Sequence, residues 1–267
     1  MRHARLPLIL LLTGLLLACA TSPTGRHQLM LVSEDTAIAA SKTAYLATMK
    51  EFAEAGKLNT DAALQRRVET ITNRLIREAI KMRPDTRNWD WQVKVVDEPQ
   101  TVNAWCMAGG KMAIYTGLIE KLHPSDDELA QVMAHEIAHA LANHSAERMS
   151  VAMATSLGLA AVGASVDKNR DTTLAAAALA AKLAIELPNS RTSEAEADRI
   201  GIELAARAGY DPHAAVTLWQ KMARLGGASV PEFLSTHPAP KNRMQTLKAL
   251  IPQMMPLYEK ARVKQTS

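Results

Sequence analysis

The sequence predicts an α+β fold that is predominantly α-helical and contains one small antiparallel β-sheet. Short, alternating, β-branched segments occur only between residues 91 and 118. Apolar residues recur at helical spacing before this stretch and again from about residue 125 onward. The chain has 267 residues, of which 48% are hydrophobic and 22% are charged, as in a globular protein that buries a sizeable core.

The first residues have the features of a bacterial export signal. Arg2 and Arg5 precede the apolar run Leu6–Ala18, which is too short to span a bilayer as a stable helix. The run ends at Cys19, and LLAC resembles the lipobox of bacterial lipoproteins, whose cysteine is acylated, for example with palmitate. No aspartate follows the cysteine, as in lipoproteins sent to the outer membrane. We expect a signal peptide over 1–18 and lipidation at Cys19; plain secretion with cleavage nearby is the alternative.

After the signal, residues 19–33 are predicted to form a lipidated tether, and 34–267 a single domain. Helices are expected over about 34–55 and 60–82, with RPDTRNW ending the second one. WQVKVVD, starting at residue 91, alternates and is predicted to be a strand. GGKMAIYTGL, starting at residue 109, predicts a turn and a second strand. These two strands are expected to pair antiparallel.

From about residue 125 onward the pattern is almost entirely helical. Ser125 and Glu128 form a capping box that begins the helix carrying the principal motif. The uncharged, Ala-rich run 149–166 is only weakly apolar, and we expect a buried or surface-lying helix rather than a membrane span. Further helices are predicted for 190–210, for a segment capped by Asp211, and for the chain after the loop that begins at 235.

The principal motif is HEIAH, within AHEIAHALANHSAE. His135 and His139 are four residues apart, so a helix places both imidazoles on one face. Two neutral imidazoles can hold zinc and leave positions open, while the carboxylate of Glu136 removes a proton from a zinc-bound water. The alternative is an ordinary polar stripe. Aliphatic residues surround the motif, and unpaired polar groups would be costly there, which favours the zinc site.

A catalytic zinc needs a third protein ligand. His144 is five residues after His139, and the metzincin spacing is not met because Ala142 and Ser145 occupy the positions that require Gly and His. We therefore interpret His144 as a histidine on the helix face near the metal helix.

The segment SEAEADR offers a better third ligand. Glu194 would complete a His2Glu set, and Asp198, four residues later, would accept a hydrogen bond from the non-ligating nitrogen of a zinc histidine. The alternative is a charged, solvated helix start, since acidic residues favour the first turn of a helix. Glu196 fits that alternative better.

HEIAH followed by EAEAD is similar to the HExxH and ExxxD motifs of the zinc peptidases related to HtpX and the type I CAAX prenyl proteases. The stretches NAWCMAGGKMAIYTGLI and FLSTHPAPKNR look like that family as well, so the resemblance covers roughly residues 95–245. It implies a zincin-like metallopeptidase domain with the sheet beside the HExxH helix. With the lipobox, the chain most resembles the LoiP type of outer-membrane lipoprotein peptidase, which is related to BepA.

The resemblance also implies roles for particular residues. One Zn²⁺ per chain would be held by His135, His139 and Glu194, with Glu136 as general base. Asp198 matches a position sometimes assigned as a proton donor. His237 and Arg243 match an SxHPxxxxR element. From chemistry alone, either could stabilise the oxyanion, and His237 could instead close zinc's open position as a latch. A loop histidine without a catalytic role is the remaining alternative for His237.

A protease often binds its substrate as an added strand at a sheet edge, which gives affinity without sequence preference. We expect such binding along the second predicted strand, at Met112, Ala113, Ile114 and Tyr115. A purely structural strand is the alternative.

Composition excludes some functions. The net charge is +4, there is no basic run, and only 4% of residues are aromatic, so a nucleic-acid groove is not expected. If Cys19 is lipidated, the only other cysteine, Cys106, has no disulfide partner within the chain. Its apolar surroundings predict a buried small side chain rather than a nucleophile.

The sequence therefore predicts a zinc metalloendopeptidase, lipid-anchored on the periplasmic face of the outer membrane of a Gram-negative bacterium. Its substrates would be misfolded, damaged or misassembled envelope proteins, with other envelope proteases or the assembly machinery as further partners. A zinc-stabilised periplasmic chaperone or scaffold is the alternative. The intact Glu136 speaks against it, since a structural zinc site needs no general base.

Overall fold

The computed structural model describes residues 19–58, 60–162, 190–225, 232–238 and 242–266. The signal peptide predicted over 1–18 and the part of the Ala-rich region between 163 and 189 lie outside these residues. The first elements are β1 (Cys19–Thr21), β2 (His27–Leu29), α1 (Glu34–Glu54), α2 (Ala62–Met82), a 3-10 helix (Pro84–Asn88), β3 (Gln92–Val96), β4 (Ala104–Met107) and β5 (Lys111–Tyr115). The later elements are α3 (Thr116–Leu122), α4 (Asp126–Leu141), α5 (His144–Val162), α6 (Arg191–Arg207), α7 (Ala214–Leu225), α8 (Glu232–Thr236) and α9 (Arg243–Thr266).

The predicted fold class is confirmed: the described chain is mostly helical, and a small sheet lies beside the HExxH helix α4. The expected pairing of the two predicted strands is wrong, however. The sheet order is β3-β5-β4, with β5 parallel to β3 and antiparallel to β4. An unpredicted strand, β4, lies between them in sequence, and its hairpin with β5 makes β5 run in the same direction as β3. All four residues of β4 are buried, so the strand lacks the alternation of apolar and polar residues that identifies a half-exposed strand in a sequence.

The hairpin turn between β4 and β5 depends on two glycines. Gly109 and Gly110 have φ angles of 82° and 81°, a left-handed conformation that other residues adopt only with strain. A Cβ on Gly110 would also lie 2.4 Å from the ring of Trp91. The Gly-Gly turn predicted from the sequence therefore has a second function, because it lets the turn pack against that ring.

Helix α4 is the central element of the domain. Its predicted capping box is confirmed: Ser125 Oγ accepts from Glu128 N at 3.2 Å, and Ser125 N donates to Glu128 Oε2 at 2.9 Å. Every residue from Glu128 to Leu141 is buried. The same Glu128 carboxylate accepts from Thr217 and Lys221 of α7. The start of the motif helix is thus fixed both by its own cap and by a neighbouring helix.

Helix α6 crosses α4 at close range, which brings the two halves of the predicted metal site together. Gly201 permits this approach, because a Cβ there would lie 3.0 Å from the backbone N and Cα of His135. Ser190 caps α6 by accepting from Ser193 N at 3.1 Å. The predicted end of this helix near Gly209 is confirmed, since α6 ends at Arg207 and Gly209 has a φ of 78°.

The helix predicted with Asp211 as its cap and Pro212 as its first residue begins two residues later, at Ala214. Asp211 still accepts from His213 N at 2.8 Å, but the first turn has backbone hydrogen bonds from residue i to i−3, as from Ala214 N to Asp211 O. Such a tight first turn is common at helix starts and explains the shift.

Part of the segment predicted as a tether is folded onto the domain. β1 and β2 form an antiparallel hairpin in which Cys19 pairs with Leu29. We call residues 19–29 the N-terminal hairpin. Gln28 Nε2 donates to Ala142 O at 2.7 Å, and Arg26 forms ion pairs with Glu147 and Glu196. The hairpin therefore packs where α4 ends and α5 begins.

Among the described residues, no helix is both long and apolar enough to cross a membrane.

Candidate active site

The two motif histidines converge as their spacing predicts. His135 and His139 are both buried, and their Nε2 atoms lie 3.1 Å apart. Glu194 approaches from α6, with one carboxylate oxygen 3.3 Å from His135 Nε2 and the other 3.3 Å from His139 Nε2. Glu194 is fully buried. The sequence prediction thus names three groups that the structure brings together from two helices.

His237 is the fourth member of this cluster. Its Nδ1 lies 3.0 Å from Glu194 Oε1 and 3.4 Å from His135 Nε2. Taking one ligand atom from each of the four residues, all of them fall within 4.8 Å of one another. His237 follows α8, and its ring stacks on Phe233 with 4.5 Å between centroids. Phe233 N in turn donates to Val102 O at 3.0 Å, which ties α8 to the start of β4.

The cluster fits a bound cation. Glu194 Oε2 is buried and accepts no hydrogen bond from the described residues, which is costly for a carboxylate. Two imidazole nitrogens face each other at 3.1 Å beside it. A cation would satisfy the carboxylate oxygen and the nitrogen lone pairs together. Two histidines and a glutamate are a donor set that suits zinc.

Glu136 lies beside the cluster on the same helix. It is buried, and its Oε1 is 3.5 Å from His237 Nε2 without a hydrogen bond. Burial raises the pKa of Glu136, and the imidazoles of His237 and His135 offset part of this rise. A carboxylate placed here has the position that a general base requires.

Asp198 and Arg243 contact His135 on its other side. Asp198 Oδ1 lies 3.1 Å from His135 Nδ1, the nitrogen that faces away from Glu194. Arg243 Nη2 donates to the same Asp198 oxygen at 2.5 Å, and it lies 3.4 Å from Glu194 Oε2. The guanidinium stacks over the ring of Trp219, 3.5 Å from its centroid. Arg243 is therefore placed to hold the ExxxD carboxylates, and Asp198 to orient His135.

The sequence analysis missed a second polar network, behind His139. His144 is buried, and its Nδ1 lies 2.8 Å from His139 Nδ1. Glu196 was interpreted as a solvated residue of a helix start, which is wrong: it is buried and lies 3.1 Å from His144 Nε2. The spacing of Glu194 and Glu196 places them on different faces of α6. The face of Glu196 is covered by the N-terminal hairpin, which the helical pattern alone does not show.

The proposed substrate strand must be corrected. β5 lies between β3 and β4, so both of its edges already carry backbone hydrogen bonds. Met112, Ala113, Ile114 and Tyr115 therefore cannot pair with an added strand. The outer edges of the sheet belong to β3 and β4. Among the described residues, the Gln65 side chain bonds Val93 O and Val95 N of β3, and Leu58 bridges to Val96. The outer edge of β4, a strand that packs against α4, is therefore the better candidate for an added strand.

Cys106, in β4, is buried, and burial raises the pKa of its thiol well above the ordinary value. The prediction of a buried, unreactive cysteine agrees with this environment.

Comparison with known proteins supports the chemistry of the site. The model of peptidase family M48 matches residues 62–251, a range that contains all the residues of the cluster. The chain is 34% identical to the mitochondrial metalloendopeptidase OMA1 of Bos taurus, over 88% of this chain and 46% of that protein. It is 32% identical to the beta-barrel assembly-enhancing protease of Escherichia coli K12, over 58% of this chain and 34% of that protein. The chain thus spans less than half the length of these two relatives. With the motifs in one buried cluster and a family match over most of its length, the chain belongs to peptidase family M48.

Proposed function

We propose that the chain is a zinc-dependent endopeptidase. The observation that carries this proposal is the convergence of His135, His139 and Glu194 in one buried cluster, with the free carboxylate of Glu136 beside it. The family membership and the metalloendopeptidase relatives support it.

His135, His139 and Glu194 would hold the zinc, which when bound supplies Lewis acidity to the scissile carbonyl and lowers the pKa of the attacking water. Glu136 accepts the proton of that water and returns it to the leaving amine. Asp198 accepts from His135 Nδ1 and so keeps the lone pair of Nε2 directed at the cluster. Arg243 keeps Asp198 in place.

In the described arrangement a fourth protein group fills the position at which a substrate would bind the metal, and we assign this blocking role to His237. Its Nδ1 joins the three proposed ligands as a fourth group, 3.0 Å from Glu194 Oε1, and all four residues are buried, so a substrate carbonyl would have to displace it. Phe233 N bonds to Val102 O directly before β4. Movement of α8 would therefore free both the fourth position of the cluster and the start of the β4 edge. An extended substrate could then pair with β4.

We place the protein at the periplasmic face of the outer membrane, anchored through Cys19, where it would cleave misfolded or damaged envelope proteins. The export signal and lipobox of the sequence support this. So do the beta-barrel assembly-enhancing proteases of Escherichia coli and Yersinia pestis among its relatives. The LoiP type of lipoprotein peptidase remains our proposal for the subgroup. Mass spectrometry of the mature N-terminus tests the anchor: an unmodified cysteine would remove it.

One observation favours the second candidate, a zinc-stabilised chaperone or scaffold. Four protein groups converge in the cluster, and structural zinc sites are closed by four protein ligands. The candidates differ in what Glu136 does, because a scaffold has no use for a general base.

The test uses unfolded casein as substrate. Zinc-loaded wild type, chelated wild type and zinc-loaded Glu136→Gln are compared, with zinc content measured in each. Cleavage by the zinc-loaded wild type alone establishes the peptidase. Zinc binding without cleavage, in wild type and in His237→Ala alike, would reject the peptidase in favour of the scaffold.

A further inference from the structure

We propose that the N-terminal hairpin positions His139 in the metal centre. The hairpin holds Glu196, and Glu196 fixes the ring of His139 through His144. We call Ser22, Thr24, Arg26, Glu196 and His144 the N-terminal relay. The inference rests on the proposed function only in taking His139 as a metal ligand. It assigns positioning roles to residues other than the ones that define the HExxH and ExxxD motifs.

The first step of the relay is the docking of the hairpin on Glu196. Thr24 Oγ1 donates to Glu196 Oε1 at 2.5 Å, and Ser22 Oγ donates to the same oxygen. Arg26 Nε donates to Glu196 Oε2 at 2.7 Å. All three donors come from one short turn between β1 and β2. Glu196 thus receives most of its hydrogen bonds from a segment about 170 residues away in sequence.

The second step fixes the direction of the hydrogen bonds. Glu196, an ionised carboxylate with charged and hydroxyl donors around it, can only accept, so His144 Nε2 must donate to it over 3.1 Å. In a neutral His144 imidazole, Nδ1 is then an acceptor, and His139 Nδ1 donates to it over 2.8 Å. His139 Nε2 is left without a proton, and its lone pair faces Glu194. The relay therefore selects the tautomer of His139 that can bind a metal.

The third step is the burial of this chain of groups. His144, Glu196 and Ser22 are all buried, so water does not readily replace a lost partner. His139 and His135 each have their Nδ1 atom held by a neighbouring side chain, and they differ in which side chain that is. His135 Nδ1 is held directly by Asp198, whereas His139 Nδ1 is held by a carboxylate acting through a second histidine.

One consequence concerns the membrane anchor predicted at Cys19. β1 begins at Cys19, and Ser22 follows directly after β1. The segment that carries the predicted lipid is thus the segment that completes the relay. Displacement of the hairpin from the domain would remove the hydrogen bonds to Glu196 and so loosen the ring of His139.

The test measures zinc affinity in the full-length chain, by competition with a chromogenic chelator at pH 7.5. We expect Glu196→Gln to weaken zinc binding about 10- to 100-fold, as loss of such an outer partner typically does. Arg26→Ala should shift it in the same direction by less. The control is Arg207→Ala: Arg207 also pairs with a glutamate of α6, Glu203, but it does so at the helix surface, and no hydrogen bond links it to the relay among the described residues.

Thermal unfolding of the zinc-free proteins separates positioning from structure. Zinc affinities of Glu196→Gln and Arg26→Ala equal to wild type, with only a lower unfolding temperature, would overturn the proposal and leave the hairpin a structural element. Should Glu196→Gln fail to fold, Arg26→Ala decides, because its side chain is partly exposed. Zinc binding without cleavage, in wild type and in His237→Ala alike, would overturn the proposed peptidase alone, since the zinc affinities of Glu196→Gln and Arg26→Ala still decide the relay.

Discussion

His237 Nδ1 lies 3.0 Å from Glu194 Oε1, and His237 directly follows α8, whose Phe233 N donates to Val102 O. The group that closes the cluster and the group that covers the start of the edge strand therefore belong to one segment. Movement of this segment would therefore free both the fourth position of the cluster and the start of the β4 edge.

For this reason we expect His237→Ala to raise the basal rate of casein cleavage several-fold. Loss of the imidazole removes a competitor for the fourth position of the cluster without touching the three proposed ligands. The rate is measured at saturating zinc, with His213→Ala as control, because the exposed His213 side chain contacts Asp211 and lies outside the cluster. A fall in kcat instead would assign His237 to transition-state stabilisation. An unchanged rate in both His237→Ala and Arg243→Ala would exclude both catalytic roles.

Glu136→Gln should lower kcat by about 10²- to 10⁴-fold, the usual contribution of a positioned general base. Zinc content should remain that of wild type, because Glu136 is not among the four residues of the cluster. Inductively coupled plasma spectrometry measures the zinc, and a fluorescent casein assay measures the rate. Glu203→Gln is the control, since Glu203 pairs with Arg207 at the surface of α6. Retained activity would reassign the base.

Arg243→Ala should weaken zinc binding and lower kcat, each by about ten-fold, because Asp198 loses a donor at 2.5 Å and no longer holds the ring of His135 as firmly. Arg243→Lys should recover only part of this, since an ammonium group cannot reproduce the stacking on Trp219. Zinc titration and kcat are measured for both variants. Equal values in the lysine variant and wild type would reduce the role of Arg243 to its charge.

Gly201→Ala tests the close approach of α6 to α4. An exposed helical glycine gains about 1 kcal/mol of stability when replaced by alanine. Here the added Cβ would lie 3.0 Å from the backbone of His135, so we expect a loss of about 1–3 kcal/mol in the free energy of unfolding. Urea denaturation of the zinc-free protein gives the sign. A gain in stability would show that the two helices can move apart freely.

The capping box should make α4 sensitive to acid. Burial raises the pKa of Glu128, but the hydrogen bonds from Lys221, Ser125 N and Thr217 outweigh it, and the pKa is lowered from the ordinary value of 4.5. A carboxyl whose pKa is lower in the folded state than in the unfolded state stabilises the fold fully at pH values above its unfolded-state pKa. That stability is lost as the pH falls through the folded pKa.

We therefore expect Glu128→Gln to lower the free energy of unfolding by about 1 kcal/mol at neutral pH, as loss of a cap does. Below pH ~4.5 the difference in free energy of unfolding between the variant and wild type should become smaller. Urea denaturation of both chelated proteins between pH 3 and 7 measures the difference, so that titration of the metal cluster cancels. A deficit that is constant over this range would contradict the assignment.

Much of the site could be predicted because its spacings are local. The four-residue interval of His135 and His139, the same interval of Glu194 and Asp198, and the capping box of Ser125 each act within one helix, whose geometry is known in advance. The family resemblance added His237 and Arg243. The need of a His pair for an acidic partner then linked two helices before their packing was seen.

The remaining features depended on contacts between segments that are distant in sequence. Whether β3 runs parallel or antiparallel to β5 was decided by β4, a strand without alternation because both of its faces are buried. In the sequence, Glu196 resembles any acidic residue near the start of a helix, and only the tertiary structure shows that the N-terminal hairpin covers it and that His144 contacts it. The sequence by itself determined the local spacings of the candidate ligands, since helical periodicity places His135 and His139 on one helix face, and Glu194 and Asp198 on a face of another helix. Only the tertiary structure decided which groups support the ligands and which strand edge remains unpaired, because long-range packing leaves no periodic signal in the chain.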